Sequence, residues 1–325
     1  MRKKLAILTI VSVLLATALL THPTHAAGET IVVDVSHGQG TKLLDHFVGN
    51  LTDLGYTVVL ANGGINSTVL EGASFLFVGH IYGKANNLTD AEIDAIKAWF
   101  NKGEKAIWVD ADSDYGGAEY IAFQTNKILE AIGSKLRAEI TSVEDPQSNA
   151  KAAYRVVANV TNTADPVKDI TSGVSKALFH GPTFLYGVKD GTPVALEDTS
   201  ITNVYWVMKT SPAGVVKDNT PTTPPLVHTD GQKGSFVIMA VEKHAGPNEN
   251  NKIVVSGETP YGGYMPVFAW TYYDVSLDGP TLVKNTVTWG LKVEAPFPWL
   301  TVGVVVVVVA IAVVGLVAYS RRRPA

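Results

Sequence analysis

Short apolar runs alternate with segments of helical periodicity in the first third of the chain. Four apolar runs are predicted to be buried strands, namely IVVDV from residue 31, YTVVLA at residues 56–61, SFLFV at residues 74–78 and AIWV at residues 106–109. Apolar residues recur every three or four positions in residues 42–54, 89–102 and 119–136, which predicts three amphipathic helices. This alternation indicates an α/β fold with a mostly parallel sheet and helices on both faces.

The second half of the chain has a less regular pattern. Strands are predicted at residues 154–159, 204–209, 235–243 and 252–258, and a closing helix is predicted at residues 282–291. Residues 219–229 are rich in proline and predict an exposed loop. We interpret residues 27–295 as one extracellular α/β domain, with a regular core at 30–140 and a less regular half at 141–295.

The two ends of the chain predict export and anchoring in a membrane. A basic start, an apolar run and a small-residue site indicate a cleaved signal peptide at residues 1–26, with an uncleaved anchor helix as the alternative. Residues 296–320 are predicted to form a transmembrane helix, and arginines follow in a cytoplasmic tail at residues 321–325. We therefore expect a single-pass cell-membrane protein that contacts lipid through this helix, with its globular domain outside.

Charge and composition narrow the function classes. The formal net charge of -4 is mild and no basic stripe interrupts it, which argues against a nucleic-acid partner. The chain has no cysteine, so thiol nucleophiles, thiolate metal sites and disulfides are excluded. Four Asn-x-Ser/Thr sequons are compatible with glycosylation on the exported side, and they begin at Asn50, Asn66, Asn87 and Asn159.

Polar side chains follow several predicted strands, at the positions where open α/β sheets bind ligands. The candidate ligand-binding residues are Asp34, Ser36, His37, Gln39, His80, His180 and Glu258. Such a set of histidines and carboxylates can bind a divalent metal or act as acid and base, or the carboxylate can order its loop while the histidines pack locally. The local interpretation is favoured because no metal-type spacing such as H-x-x-x-H is present, and a serine hydrolase is disfavoured because no G-x-S-x-G elbow exists.

Three aspartates at alternate positions, Asp110, Asp112 and Asp114, resemble the start of a calcium loop. The twelfth position of such a loop holds a bidentate glutamate, and here it is Ile121. A bound Ca²⁺ is therefore one interpretation, and a solvated acidic turn that caps the next helix is the other. No other cofactor is expected.

Aromatic residues are concentrated between residues 261 and 273, near two glycines. They are Tyr261, Tyr264, Phe268, Trp270, Tyr272 and Tyr273. Because flanking glycines and prolines indicate a loop, this group is a candidate platform for a sugar or peptide, whereas aromatics elsewhere more often fill a core or an interface.

Several short motifs occur in an order that resembles the class I glutamine-amidotransferase-like superfamily. They are DVSHGQG, LTDAEIDAIKAWFNKGEKAIWV, PVKDITSGVSKALFHGPTFL, KIVVSGE and KNTVTWGL, and together they cover most of residues 30–291. The sequence is most similar to the non-catalytic branch found in archaeal surface proteins, transporter-accessory proteins and the intraflagellar-transport type of the domain. This resemblance implies a flavodoxin-like α/β fold.

The same resemblance argues against amidotransferase chemistry. Those enzymes place a cysteine nucleophile in a strand-to-helix elbow, whereas the corresponding strand here runs into Asp110 and Asp112, and the chain has no cysteine. We therefore expect a membrane-anchored extracellular binding or accessory protein that serves a transporter or the cell envelope. The alternatives are a metal-dependent surface hydrolase, using Asp34, His37, Asp110 and Asp112, and a structural component of the envelope.

Overall fold

Apolar, β-branched runs form the strands at the centre of the molecule. The computed structural model describes residues 28–292, so the predicted signal peptide, transmembrane helix and cytoplasmic tail lie outside the described residues. The strands are β1 (Thr30–Asp34), β2 (Thr57–Ala61), β3 (Ala73–Val78), β4 (Ala106–Asp110), β5 (Leu136–Ala138), β6 (Ser142–Glu144), β7 (Arg155–Ala158), β8 (Val160–Thr161), β9 (Ala177–His180), β10 (Leu185–Lys189), β11 (Thr192–Ala195), β12 (Val204–Lys209), β13 (Gly214–Lys217), β14 (Lys233–Gly234), β15 (Val237–Ala245), β16 (Asn251–Ser256), β17 (Thr271–Tyr272) and β18 (Val275–Ser276).

Five α-helices accompany these strands. They are α1 (Leu44–Asp53), α2 (Asp90–Phe100), α3 (Glu119–Ala131), α4 (Lys168–Thr171) and α5 (Gly279–Leu291). Single 3₁₀ turns lie at Lys84–Asn86 and Tyr115–Gly117. No helix within residues 28–292 combines the length and apolarity that a membrane span requires.

One eight-stranded sheet organises the fold, in the order β2-β1-β3-β4-β16-β15-β12-β8. The first five strands pair in parallel. β15, β12 and β8 extend the sheet through antiparallel pairs. The predicted α/β class with a large, mostly parallel sheet is thus confirmed, and the antiparallel edge comes from the less regular second half of the chain.

Alternate residues of each central strand face opposite sides of the sheet, as the period of two requires. One core contains Ile31 and Phe77 and packs against α1 and α5, whereas the other contains Val32 and Val78 and packs against α2 and α3. Helices therefore cover both faces, as predicted. Because β1, β3 and β4 are buried on both sides, they form continuous apolar runs in the sequence. The prediction that β2 is buried was wrong, since β2 is the edge strand and is partly exposed.

The prediction of a helix through residue 136 was wrong at its C-terminal end. α3 ends at Ala131, because Gly133 adopts a positive φ of 73° and Ser134 N–H donates to Leu129 O at 2.8 Å. This is the Schellman arrangement, in which glycine accepts the left-handed conformation that stops a helix. Residues from Leu136 onward instead form β5, which pairs with β10 in a three-stranded sheet with β11.

The start of α2 follows its sequence signature. Thr89 accepts a hydrogen bond from Glu92 N–H at 3.3 Å, and the Glu92 carboxylate accepts one from Thr89 N–H at 2.8 Å. This capping box satisfies two backbone donors that the helix itself leaves unpaired. It also fixes Glu92 at the carboxyl edge of the sheet, close to the loop that follows β1.

Candidate functional site

Ionisable side chains from three neighbouring strands meet at the carboxyl edge of the sheet. The register places Val78 of β3 beside Val109 of β4, and Asp110 beside Ser256 of β16. His80 and Glu258 each follow two residues after their strand, so they reach the same level as Asp110. His80 Nδ1 lies 3.4 Å from Asp110 Oδ2 and 3.7 Å from Glu258 Oε1. We call His80, Asp110, Asp112 and Glu258 the strand-end cluster.

Two members of the strand-end cluster are buried without hydrogen bonds. His80 is 3% exposed and Asp110 is 1% exposed. Neither ring nitrogen of His80 and neither carboxylate oxygen of Asp110 makes a hydrogen bond of good geometry, although His80 Nδ1 lies 3.4 Å from Asp110 Oδ2 and the His80 backbone N–H also acts on the carboxylate. Buried polar atoms in folded proteins almost always have partners, and each unsatisfied one costs about 1–3 kcal/mol. A functional role would explain why such groups are retained.

Burial dominates the protonation of this cluster. It raises the pKa of Asp110 to about 6, although His80 acts in the opposite direction. Burial also raises the pKa of Glu258 well above its ordinary value, and the neighbouring charge of Asp112 adds to the effect. For His80, burial lowers the pKa, but Asp110 and Asp112 outweigh it, and the net pKa is raised. Asp110 therefore exchanges its proton closer to neutral pH than an exposed aspartate does, and perturbed pKa values of this kind are typical of functional sites.

Aromatic rings surround the approach to the cluster. Asp112, whose carboxylate accepts a hydrogen bond from Ser113 N–H at 2.7 Å, is the partly exposed acid of the four. The Tyr82 ring lies 4.9 Å from the His80 ring and 6.4 Å from the Tyr264 ring. The His180 ring stacks on Tyr264 at 5.8 Å. Aromatic rings thus form a rim that connects the acidic site with the exposed Tyr264.

A second network orders the loop after β1. The Asp34 carboxylate accepts hydrogen bonds from Ser36 Oγ at 2.7 Å and from Gln39 Nε2 at 2.8 Å, and it pairs with His37 Nδ1 at 2.7 Å. Gln39 Nε2 also donates to Gly79 O at 3.2 Å, which joins the loop to the end of β3. This network therefore adjoins the strand-end cluster at Gly79-His80, and the structure places His37 in the network while His80 belongs to the cluster.

The geometry around His37 differs from that of a catalytic triad. Ser36 Oγ and Asp34 Oδ2 both approach Nδ1, at 3.1 and 2.7 Å. A triad needs the serine at one ring nitrogen and the acid at the other, so that the ring can carry a proton between them. Here Nε2 instead faces Glu92 Oε1 at 3.2 Å. The arrangement can hold a loop in place, and it gives Ser36 no separate base.

Tyr261 connects the two networks. The sequence pattern instead placed it in a candidate platform for a sugar or peptide. It is fully buried, its hydroxyl donates to Asp34 O at 2.5 Å, and it accepts a hydrogen bond from Gly79 N–H at 3.0 Å. Phe268 is likewise buried, whereas Tyr264, Trp270 and Tyr273 are exposed. The aromatic group of residues 261–273 is therefore divided between core and surface. The buried position of Tyr261 depends on a tertiary contact that spacing in the sequence does not reveal.

The three aspartates of the calcium-loop prediction have different surroundings. Asp110 and Asp112 belong to the strand-end cluster. The Asp114 carboxylate accepts hydrogen bonds from Asn219 N–H and Asn219 Nδ2, each at 2.8 Å. Across residues 28–292, no group of three or more His, Asp or Glu side chains has an arrangement that could hold a metal ion. Ca²⁺ binding at these residues stays a prediction.

Of the other residues predicted for the site, His180 is at the rim and Glu258 is in the cluster. The Glu258 carboxylate accepts a hydrogen bond from Thr259 N–H at 2.8 Å, and the His180 backbone N–H also lowers its pKa. Sequence reasoning missed Tyr82 and Glu92. Tyr82 lies two residues beyond His80, so its position after β3 could have indicated a place at the site. No pattern in the sequence indicates the contact of Glu92 with His37, because the two residues are far apart in the chain.

Comparison with known proteins gives a similarity of fold. No protein-family model and no curated protein sequence matches the chain. The solved N-terminal domain of mmIFT52 has a TM-score of 0.54 and 11% identity, over 83% of this chain and 100% of that one. A protein described as a GMP synthase subunit from Thermoplasma acidophilum has a TM-score of 0.40 and 10% identity, over 80% of this chain and 93% of that one. PurLQS from Thermotoga maritima has a TM-score of 0.39 and 11% identity, over 80% and 98%. At these identities the comparisons concern the fold alone.

Proposed function

We propose that this chain is a membrane-anchored extracellular binding or accessory protein that holds a ligand at its strand-end cluster without converting it. The observation that carries the proposal is the pair of buried, unsatisfied groups, His80 and Asp110, at the edge of the sheet where α/β proteins bind ligands. A bound ligand would supply the missing hydrogen bonds. We propose in addition that the protein serves a transporter or the cell envelope.

The residues favour binding over nucleophilic catalysis. If the chain belongs to the amidotransferase-like superfamily that its motifs resemble, Asp110 ends the strand after which the cysteine nucleophile would stand, and the sequence has no cysteine. Ser36 has no independent base, since Asp34 and Ser36 share Nδ1 of His37. The site therefore keeps the position of an active site and lacks a nucleophile with its base.

A hydrolase is the second candidate, and one observation favours it. The pKa of Asp110 is raised to about 6 beside His80, and acid–base catalysis at neutral pH uses groups of this kind. Such an enzyme would activate water directly. The two candidates differ in what happens to the ligand, so an experiment must follow the ligand's chemical form.

A thermal-shift screen with a small-molecule collection tests the proposal on the full-length protein. We expect at least one compound to raise the Tm of the wild type and not that of Asp110→Asn, and mass spectrometry should recover this compound unchanged. Asp94→Asn is the matched control, since Asp94 is exposed on α2 and loses the same charge. Product in excess over protein, absent from Asp110→Asn, would establish the hydrolase instead.

The proposed location rests on the chain ends and has its own test. The apolar runs and the arginines of residues 321–325 support a cleaved signal and a C-terminal anchor. Protease added to intact cells should remove the domain, and the mature N-terminus should begin at Ala27. A cytosolic fraction that contains the intact chain would contradict this placement.

A further inference from the structure

We infer that the ligand of the strand-end cluster carries an organic cation, and specifically that an ammonium group is held by Asp110, Asp112 and Glu258 beside His80. This inference rests on the proposed binding function and adds the chemical class of the ligand. Four observations support it: the balance of charge, the unsatisfied acceptors, the aromatic rim and the position of the partly exposed acid.

The charges at the cluster do not balance within the described chain. The carboxyl groups of Asp110, Asp112 and Glu258 lie around one imidazole, and His80 is within ion-pair distance of Asp110 and Glu258. Within residues 28–292, the lysine and arginine side chains form their ion pairs with other acids, namely Glu119, Asp90, Glu242, Glu130, Asp274 and Asp165. Buried carboxylates are normally paired or protonated, so an incoming positive charge would bind favourably here.

The unpaired atoms at the cluster are suited to a donor with several N–H groups. Both carboxylate oxygens of Asp110 are acceptors without hydrogen bonds, whereas His80, whose pKa is raised, presents N–H donors beside them. An ammonium group carries three donors and a positive charge. Hydrogen bonds between charged groups are about twice as strong as neutral ones, so an ammonium satisfies these acceptors better than a hydroxyl does.

The aromatic rim favours an organic cation over a metal ion. The Tyr82 ring contacts the His80 ring and the ring of the exposed Tyr264, on which His180 stacks. Cations are attracted to the faces of aromatic rings, and choline and methyl-lysine sites use the same contact. A metal ion would instead need a set of converging ligands, and residues 28–292 contain no group of three His, Asp or Glu side chains arranged in this way.

The partial exposure of Asp112 indicates the side from which a ligand would reach the cluster. It is the partly exposed acid, whereas Asp110, Glu258 and His80 are almost inaccessible behind it. The backbone of Gly263 packs against the His80 ring, since a Cβ placed there would lie 3.3 Å from His80 Nε2. The ammonium group would therefore enter past Tyr82 and Tyr264, meet Asp112 first and then reach Asp110.

The experiment uses n-butylammonium as the probe, n-butanol as its neutral analogue, and Zn²⁺ and Ca²⁺ as competing cations. Saturation-transfer NMR on the full-length protein in detergent should show binding of n-butylammonium and none of n-butanol. Asp110→Asn and Glu258→Gln should each weaken that binding at least about tenfold, while Asp94→Asn leaves it unchanged. Both variants are nearly isosteric with the original side chain, and circular dichroism verifies that they fold.

Three results would overturn the inference, and they differ from a failure of the proposed function. Equal binding of n-butanol and n-butylammonium removes the need for charge. Stoichiometric Zn²⁺ or Ca²⁺ that displaces the amine and is lost in Asp110→Asn assigns the cluster to a metal. Anionic or neutral compounds that protect the wild type but not Asp110→Asn in the thermal-shift screen would keep the binding function and refute the ammonium group. If no compound protects the wild type, the binding function itself fails.

Discussion

His37 Nε2 lies 3.2 Å from Glu92 Oε1, and this contact joins the loop after β1 to the first turn of α2. The other ring nitrogen pairs with Asp34 at 2.7 Å, so the imidazole lies between two carboxylates. Burial lowers the pKa of His37, but Asp34 and Glu92 outweigh burial, and the net pKa is raised. The loop that carries DVSHGQG is therefore held by a charged histidine over part of the pH range.

Replacing His37 should destabilise the fold more at pH 5.5 than at pH 8.5. The raised pKa means that the contribution of charged His37 is complete below its ordinary value of 6.5 and disappears as the pH rises through the folded-state value. Hydrogen bonds lower the pKa of Glu92 despite its partial burial, so its contribution disappears as the pH falls below 4.5. We expect His37→Gln to lose about 1–3 kcal/mol between these limits and less above them.

Urea unfolding at the two pH values measures this effect, and His46→Gln is the control, since the His46 side chain is exposed on α1. An equal loss at both pH values would show that His37 acts through packing or neutral hydrogen bonds.

Removing the charge of Asp110 should stabilise the protein near pH 8. The pKa of this carboxyl is raised from 3.8 to about 6 by burial, so ionisation destabilises the folded state as the pH rises through that interval. Asp110→Asn should therefore be more stable than the wild type by about 1–3 kcal/mol at pH 8, since each pKa unit corresponds to 1.36 kcal/mol. Below pH 3.8 the difference should disappear.

Denaturant titrations of Asp110→Asn and the charge-matched Asp94→Asn across this pH range provide the measurement. If Asp110→Asn is instead less stable at pH 8, the ion pair with His80 outweighs the cost of burying the carboxylate. A stabilised variant that no longer binds ligand would be the pattern expected of a functional residue.

Loss of the Tyr261 hydroxyl should destabilise the fold, because this group joins the loop after β1 to the end of β3. Tyr261→Phe leaves Gly79 N–H without its acceptor and Asp34 O without this donor, at a cost of about 1–3 kcal/mol. Tyr264→Phe is the control, because Tyr264 is 73% exposed and its change should stay within about 0.5 kcal/mol. Thermal unfolding of both variants tests the difference, and similar Tm values would show that water replaces the Tyr261 hydroxyl.

The close approach of two loops should make Gly262 intolerant of a side chain. Gly262 has a φ of 76°, and a Cβ there would overlap the carbonyl group of Gly40. Gly262→Ala should lose at least about 2 kcal/mol, since backbone strain and a clash with another backbone add together. Gly49→Ala is the matched control in α1, where space is open and alanine should add about 0.5–1 kcal/mol.

Amide hydrogen exchange at Gly40 and Gly79 shows which part of the protein Gly262→Ala destabilises. Exchange that is unchanged around both residues would mean that the two loops are not coupled.

Local patterns in the sequence accounted for much of the sheet and little of the side-chain arrangement. The apolar runs predicted β1 to β4 and the two-sided burial of β1, β3 and β4, because a strand covered by helices on both faces has no polar alternation. The capping residues Thr89 and Glu92 predicted the start of α2. The antiparallel edge formed by β15, β12 and β8 had no such signal, since strand direction depends on connections across the whole chain.

The sequence predicted polar residues at the ends of several strands, and it did not predict which of them lie together. The sequence placed His80 and Glu258 among ligand-binding candidates and Asp110 in a calcium-type loop, whereas in the structure His80 lies within ion-pair distance of both acids. His37 follows β1 in the same way, yet its ring turns toward Asp34 and Glu92. The direction of such a ring depends on a helix start far along the chain, and short-range periodicity carries no information about it.

The C-terminal turn of α5 has a practical consequence. Lys252 Nζ, at the beginning of β16, donates to Trp289 O at 2.8 Å, and Gly290 lies against Phe75 and Ala106 near the beginnings of β3 and β4. The described chain thus leaves its last helix at the edge where these strands start, and β1 also starts near its first residues. Fusion proteins or immobilisation handles joined near either end of residues 28–292 would attach on that edge, which leaves the opposite edge, with Asp110 and His80, free for measurement.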